Sequence, residues 1–294
     1  TFDHAYSIYA IDIDLDGDVD VLGSARRDDD VTWWENDGSE SFTENTIDGN
    51  FDGAETIYAA DIDGDGDIDI LGASNIDDDI VWWENTATFS FDPTWTASDI
   101  TTSASGAMSV FAADIDGDGD MDIISASKLD DTIAWYENSG GPFWSASTIA
   151  TSADGAFSVF AADMDSDGDM DVISASDIDD TIAWYENDGA ANPSWTASDI
   201  DTNADNAKSV FAADMDGDGD MDILSASVND NTIAWYENDG AADPSWTAED
   251  IATSASGATS VFASDMDKDG DMDIISASQN DNTIAWYESD GAAD

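Results

Sequence analysis

Apolar residues along the chain fall into runs of four to eight, rich in Ile, Val, Trp, Tyr and Thr, and clusters of Asp, Asn, Gly and Ser separate the runs. Runs of that length and composition between turn formers predict β-strands joined by tight turns. No stretch carries a helical period. The runs recur in a fixed order: SVFAAD (Ser109 to Asp114), an acidic loop, MDIISAS (Met121 to Ser127), a polar turn, then TIAWYEN (Thr132 to Asn138). A fourth run, such as SWTASDI (Ser194 to Ile200), completes the unit.

The acidic loop reads D-x-D-x-D-G-D-x-D and opens at Asp12, Asp61, Asp114, Asp163, Asp214 and Asp265, in steps of 49, 53, 49, 51 and 51 residues. Four strands in about 50 residues match the period of a propeller blade, and radial repetition protects the sheet edges of an all-β chain. The expected fold is all-β: one domain over 1–294, a six-bladed β-propeller of four-stranded antiparallel blades. Its repeats run at about 1–49, 50–100, 101–150, 151–200, 201–251 and 252–294. Closure of these six repeats into a ring is an inference from the repeat count.

Side-chain size supports this reading, because blades converge at the axis and splay at the rim. Small residues fill the first and second strands (Ala112, Ala113, Ser125, Ala126, Ser127) and large ones the third and fourth (Trp135, Tyr136, Trp144). The pairs Trp33–Trp34, Trp82–Trp83, Trp184–Tyr185, Trp235–Tyr236 and Trp286–Tyr287 repeat the pattern and are expected to fill the gaps between blades. The fourth-strand residues Trp95, Trp144, Trp195 and Trp246 are better placed to meet a ligand. The chain carries six first, second and third strands but five fourth strands, so the last blade is expected to lack its outer strand. Either a longer polypeptide was cut, or a neighbouring chain can fill that edge by strand addition.

Each loop presents carboxylates at fixed spacing. The first positions are Asp12, Asp61, Asp114, Asp163, Asp214 and Asp265, and the third are Asp14, Asp63, Asp116, Asp165, Asp216 and Asp267. The fifth are Asp16, Asp65, Asp118, Asp167, Asp218 and Asp269, and a glycine at the sixth permits the bend. The seventh (Asp18, Asp67, Asp120, Asp169, Asp220, Asp271) is expected to offer its carbonyl, and the ninth (Asp20, Asp69, Asp122, Asp171, Asp222, Asp273) to close the shell. Hard oxygen ligands without Cys or a nearby His suit Ca²⁺ better than Zn²⁺ or copper, and better than the small rigid octahedron of Mg²⁺. Turn formation alone does not require six complete copies. The expected cofactor is Ca²⁺, about six ions, one per repeat. An EF-hand needs a bidentate Glu at position twelve and flanking helices; here that position is Gly or Ser in a strand-like run.

Composition narrows the function. With 69 acidic residues against 5 basic ones the formal charge is −64, which repels nucleic acid and anionic membrane faces. At 41% hydrophobic and 12 Trp the chain can still bury a core. There is no cysteine, no apolar run of membrane-spanning length and no leader before Thr1, so any signal peptide is expected to have been removed. Six divalent ions would bring −64 only to −52, and the surplus acidity suits a saline or marine medium.

The repeats FAADIDGDGDMDIISAS…TIAWYEN resemble the FG-GAP or VCBS family of propeller repeats over almost the whole chain, and the loops are similar to the calcium loops of the integrin α-subunit propeller. The resemblance implies calcium between first and second strands, on the face opposite the usual ligand surface. Family members occur in secreted adhesins, lectins and some polysaccharide lyases, and many have seven blades.

No singular catalytic constellation stands out, because nearly every polar residue recurs in several repeats; His4 reads as incidental, and Arg26, Arg27, Lys128, Lys208 and Lys268 as local charge relief. The expectation is a non-enzymatic, secreted or cell-surface module. It would bind a glycan or an extracellular protein through the turns at Lys128 to Asp131, Asp177 to Asp180, Val228 to Asn231 and Gln279 to Asn282, with the connections Thr151 to Gly155 and Thr202 to Asn206. A structural subunit joined through blade edges is the alternative, and a propeller of a polysaccharide-degrading enzyme a weaker third. Self-association through the last blade is a further expected contact; nucleic acid and membrane insertion are not expected.

Overall fold

The computed structural model describes residues 2–39, 41–87, 93–140, 143–289 and 291. Among these residues, twenty-three strands form six sheets. Blade 1 is β1 (Ala5–Ile11), β2 (Asp20–Ala25), β3 (Asp30–Asn36) and β4 (Phe42–Asp48); blade 2 is β5 (Ala54–Ala60), β6 (Asp69–Ser74), β7 (Ile80–Asn85) and β8 (Trp95–Thr101). Blade 3 is β9 (Ala107–Ala113), β10 (Asp122–Ser127), β11 (Thr132–Asn138) and β12 (Trp144–Ala150); blade 4 is β13 (Ala156–Ala162), β14 (Asp171–Ser176), β15 (Thr181–Asn187) and β16 (Trp195–Asp201). Blade 5 is β17 (Ala207–Ala213), β18 (Asp222–Ser227), β19 (Thr232–Asn238) and β20 (Trp246–Ala252); blade 6 is β21 (Ala258–Ser264), β22 (Asp273–Ser278) and β23 (Thr283–Tyr287). Five sheets are four-stranded antiparallel meanders and the sixth has three strands, which is the expected six-bladed β-propeller class with its last blade short of an outer strand. No helix among the described residues is long and apolar enough to cross a membrane.

The chain divides into two compact units, Thr1–Asp114 with Gly119–Thr151, and Ile115–Asp118 with Ser152–Asp294. Burial inside each follows strand order. The second strands β6, β10, β14 and β18 are buried on both faces, so they read as continuous apolar or small runs, whereas the fourth strands are exposed over most of their length. In the first unit Leu22, Val31 and Trp33 of blade 1 pack on Ile57, Ala59, Ile70 and Trp83 of blade 2, and Leu71, Ile80 and Trp82 of blade 2 pack on Val110, Ala112, Ile123 and Tyr136 of blade 3. In the second unit Ile173, Ile182 and Trp184 meet Val210, Ala212, Ile223 and Tyr236, and Leu224, Ile233 and Trp235 meet Val261, Ala263, Ile274 and Tyr287. The third-strand aromatics thus fill the gaps between blades.

The first strands depart from the small-residue expectation at one position. Each carries an aromatic fifth residue that stacks on its neighbours: Tyr9 on Tyr58 and Tyr58 on Phe111, with centroids 5.2 and 4.9 Å apart, and Phe160 on Phe211 and Phe211 on Phe262 at 4.8 and 4.7 Å.

Hydrogen bonds clasp successive blades. The turn between second and third strands ends in Asp29, Asp78, Asp180 or Asn231 with φ of 57°, 61°, 60° and 63°, the left-handed region that Asp and Asn tolerate. The side chain of each accepts the N–H of a residue just before the next first strand: Gly53 at 3.3 Å, Gly106 at 2.7 Å, Asn206 at 2.8 Å and Gly257 at 3.0 Å. Its carbonyl accepts a second N–H, from Phe51, Ala104, Ala204 or Ala255.

Beside these clasps lie two ion pairs of opposite polarity. Arg26 of blade 1 holds Glu55 of blade 2 (Nε to Oε1, 2.9 Å), and Asp177 of blade 4 holds Lys208, which lies within β17 of blade 5. Glu55 is fully buried while Arg26 stays partly wet, so losing the arginine takes a cation away from a carboxylate in the blade junction. Arg26→Met is expected to cost ~3 kcal/mol, the low end for a broken buried pair, and Arg26→Met with Glu55→Leu to recover most of it; urea unfolding of the two variants measures this.

Candidate metal centres

The acidic loops connect first to second strands at one end of each blade. In the first loop the N–H of Asp16 reaches Asp12 Oδ1 (3.1 Å) and Asp14 Oδ1 (3.2 Å), Gly17 N–H reaches Asp12 Oδ2 (2.9 Å), and Asp18 N–H reaches Asp16 Oδ1 (2.9 Å). The bond from the sixth-position N–H to the first carboxylate recurs from Gly66 to Asp61, Gly119 to Asp114, Gly168 to Asp163, Gly219 to Asp214 and Gly270 to Asp265. The sixth-position glycines have φ from 98° to 105°, and a Cβ would meet nothing within 4 Å, so backbone conformation and not space demands glycine. The fourth position is left-handed as well, including Leu15, Ser166 and Lys268. That second bend was legible only as the extra glycines Gly64, Gly117 and Gly217.

The expected ligand positions divide into two groups. First and third carboxylates converge with the ninth in Asp12, Asp14 and Asp20 and in Asp61, Asp63 and Asp69, and with the fifth in Asp163, Asp165 and Asp167 and in Asp214, Asp216 and Asp218, each group placing one oxygen per residue within 4.8 Å of the others. The seventh side chain turns elsewhere. A Cβ at Gly38, Gly189, Gly240 or Gly291, in the turn after the third strand, would collide with Asp18, Asp169, Asp220 or Asp271, so these carboxylates lie against that turn.

The ninth aspartate has a structural task that spacing did not reveal. Asp69 Oδ2 accepts the Ile62 N–H (3.1 Å) and its Oδ1 the Asn85 N–H (2.7 Å); Asp20, Asp171, Asp222 and Asp273 repeat this with Ile13 and Asn36, Met164 and Asn187, Met215 and Asn238, and Met266 and Ser289. Asp122 accepts the Asn138 N–H at 2.7 Å. Each therefore ties its loop to the end of the third strand. The asparagine there also reaches the preceding blade: Asn138 Nδ2 donates to the Ile62 carbonyl (3.2 Å) and Asn238 Nδ2 to the Met164 carbonyl (2.7 Å).

Electrostatics ask for a cation. Burial pushes Asp69 and Asp171 up to about 7 and Asp222 to about 6, against the pull of their backbone N–H donors. Asp14 rises to about 6, first through burial and then through the charges of Asp16, Asp20 and Asp12. Asp63, Asp165 and Asp216 are raised for the same leading reason, while Asp273 is lowered by the Ser289 N–H. Asp61 Oδ1 and Asp114 Oδ1 are buried and accept no hydrogen bond. Such an oxygen is costly unless something binds it. An all-oxygen donor set with covered, unpartnered carboxylate oxygens fits Ca²⁺, which the first, third, fifth and ninth aspartates would hold and whose charge would offset theirs.

Other expected contact residues fall differently. Trp144 packs edge-on against Trp82 of the preceding blade (6.1 Å) and Trp246 against Trp184 (6.4 Å), and Trp95 joins the core between blades 1 and 2. These rings staple blades together. The opposite end of the blades carries exposed apolar tips that sequence reasoning missed, Ile76, Leu129 and Ile178 in the turns between second and third strands. His4 stands at φ 64°, and its backbone carbonyl accepts the Arg26 N–H.

Repeated four-stranded antiparallel blades bearing an acidic hairpin define a β-propeller with candidate cation loops. The FG-GAP-like repeat matches residues 12–72, 61–125, 115–174, 163–225 and 222–276, and the chain belongs to that family. Among solved structures it is similar to a streptogramin B lyase, at 14% identity, 99% of this chain, 86% of that one and a TM-score of 0.65. A protein from Lactobacillus plantarum is 12% identical over 92% of this chain and 81% of its own, with a TM-score of 0.61. The V. cholerae biofilm matrix protein Bap1 is 20% identical over 90% of this chain and 42% of its own, with a TM-score of 0.51. These likenesses are likenesses of fold. No curated protein matches the sequence.

The raised carboxyls carry a pH signature. A folded-state pKa above the ordinary 3.8 means the group favours folding while protonated, so that contribution is complete below about pH 4 and is lost as pH rises through about 6 to 7. In chelator the thermal midpoint is expected to fall between pH 4 and 7; in millimolar calcium the fall should shrink or reverse, as scanning calorimetry across that range would record.

Proposed function

We propose that this chain is a calcium-stabilised, non-catalytic binding module that works outside the cell, recognising a glycan or a protein on the face opposite its acidic loops. The buried oxygens Asp61 Oδ1 and Asp114 Oδ1 carry the calcium half of this reading, since each lacks a hydrogen-bond donor while the second oxygen of the same carboxylate takes the N–H of Gly66 or Gly119. Millimolar calcium is an extracellular condition, and a site rigidified by the blade suits that range. The binding half rests on the polar turns, whose exposed tips Ile76, Leu129 and Ile178 add apolar contact to a hydroxyl- and carboxylate-rich surface. Repetition makes such a surface multivalent.

A non-catalytic role is supported by the repetition of every carboxylate cluster, because an acid–base pair needs two carboxyls in different environments. The fold likeness to a lyase does not carry that protein's chemistry to this chain. A structural subunit of an extracellular assembly is the second reading, favoured by the three-stranded sixth blade and by the likeness to a biofilm matrix protein.

Calorimetric titration is expected to give about one Ca²⁺ per loop, with Asp61→Asn abolishing one site and sparing the others. On a glycan and extracellular-protein array, Ile76→Ser with Leu129→Ser should weaken binding at least tenfold with the calcium count unchanged. An array without any selective signal would remove the ligand-binding reading and leave the structural one, and a chain that takes up no calcium would remove both.

A further inference from the structure

A cavity of about 460 Å³ is lined by the acidic loops of blades 5 and 6 and by the end of β17. Every residue that lines it belongs to the second compact unit. Three of these residues are methionines at repeating loop positions. Met215 and Met221 are the second and eighth residues of the blade 5 loop, and Met272 is the eighth of the blade 6 loop. In blades 1 and 2 the same positions hold the β-branched residues Ile13, Val19, Ile62 and Ile68. Branched side chains keep one shape, whereas unbranched thioethers are polarizable and adapt to what they touch.

Phe211 of β17 adds an aromatic ring to the lining. It is half-buried, and Phe160 and Phe262 stack on it with centroids 4.8 and 4.7 Å away, which fixes its position. The charge of the lining is wholly negative, from Asp214, Asp216 and Asp271. Asp214 accepts the N–H groups of Gly217 and Gly219, at 2.8 and 3.1 Å, and Asp216 accepts that of Asp218 at 3.1 Å, so both are tied into their loop. Among the described residues no hydrogen-bond donor reaches the Asp271 carboxylate, and no Lys, Arg or His lines the cavity.

We infer that this cavity binds a small alkylated ammonium ion, its charge held by the carboxylates and its alkyl groups set against Met215, Met221, Met272 and Phe211. The mixed lining selects that class. A hard metal ion or a primary ammonium would exchange strong hydration for thioethers and an aromatic ring, which return little. A neutral apolar molecule would suit the methionines but would take water from the carboxylates without compensation. An alkylated ammonium ion is weakly hydrated, is attracted both to carboxylates and to an aromatic face, and offers methyl or methylene groups to the thioethers. The volume lies in the range of single small-molecule sites, on the order of 300–1,000 Å³. This site is at the loop end of the blades, apart from the ligand surface proposed at the opposite turns, and either reading can fail without the other.

The chain has 8 methionines, so isotopic labelling of their methyl groups gives a readable magnetic-resonance spectrum, with single Met→Leu variants assigning each signal. The titration is run in saturating calcium and about 0.5 M NaCl, which screens diffuse attraction to the acidic surface. Hexyltrimethylammonium is expected to shift the methyls of Met215, Met221 and Met272 along one saturable curve and to leave that of Met108 unmoved. Heptanol and heptanoate, of similar length, should move none of them at the same concentration. Met221→Lys places a cation in the lining and should abolish the response, and Asp271→Asn should weaken binding about threefold. A calcium titration of both variants reports whether their loops are intact. Equal shifts with heptanol, shifts spread over all the methionines without saturation, or no shift at Met215, Met221 and Met272 would each overturn the inference.

Discussion

A buried carboxylate at the end of each acidic loop fastens the loop to its blade. Asp69 spends one oxygen on the loop's second residue and the other on the last residue of the third strand, and five further blades place an aspartate at the same point. Removing it would leave two backbone N–H groups buried without an acceptor. Keeping it charged is costly, because the same burial that makes the bonds strong disfavours ionisation. The loop geometry therefore creates a demand for positive charge close by. With 5 basic residues in 294, the chain cannot meet that demand from its own side chains.

Loop and junction are mechanically joined. The asparagine that follows the third strand receives the ninth aspartate through its backbone and donates through its side chain to the loop of the preceding blade, as Asn138 does to Ile62 and Asn238 to Met164. Order in one loop is thus transmitted to the next blade without any long-range device. Near-identical repeats also carry a hazard, since any blade could pack on any other during folding. The reversed ion pairs oppose this: blade 2 laid on blade 4 would set Glu55 against Asp177, and blade 5 laid on blade 1 would set Lys208 against Arg26.

Strand order, blade count and the missing outer strand were legible because short apolar runs and acidic turns repeat with a strict period. The candidate ligand positions were legible from the carboxylate spacing alone. What escaped was whatever depends on which side of a strand or turn faces the next blade. The stacked rings at Tyr9, Tyr58 and Phe111 were hidden inside runs that look small on average, and Trp144 and Trp246 looked rim-exposed while packing on the preceding blade. The ninth aspartate was read only as a ligand, because a pattern of carboxylates does not record which backbone N–H groups point at them.

The surplus acidity then has a place in the architecture. Six divalent ions would leave −52, spread largely over exposed turns and fourth strands, where carboxylates stay hydrated. Repulsion between surfaces so highly negative reaches far at low ionic strength, where the Debye length is ~30 Å at 0.01 M, and relaxes at ~3 Å in 1 M salt. The medium therefore sets how closely two such surfaces can approach.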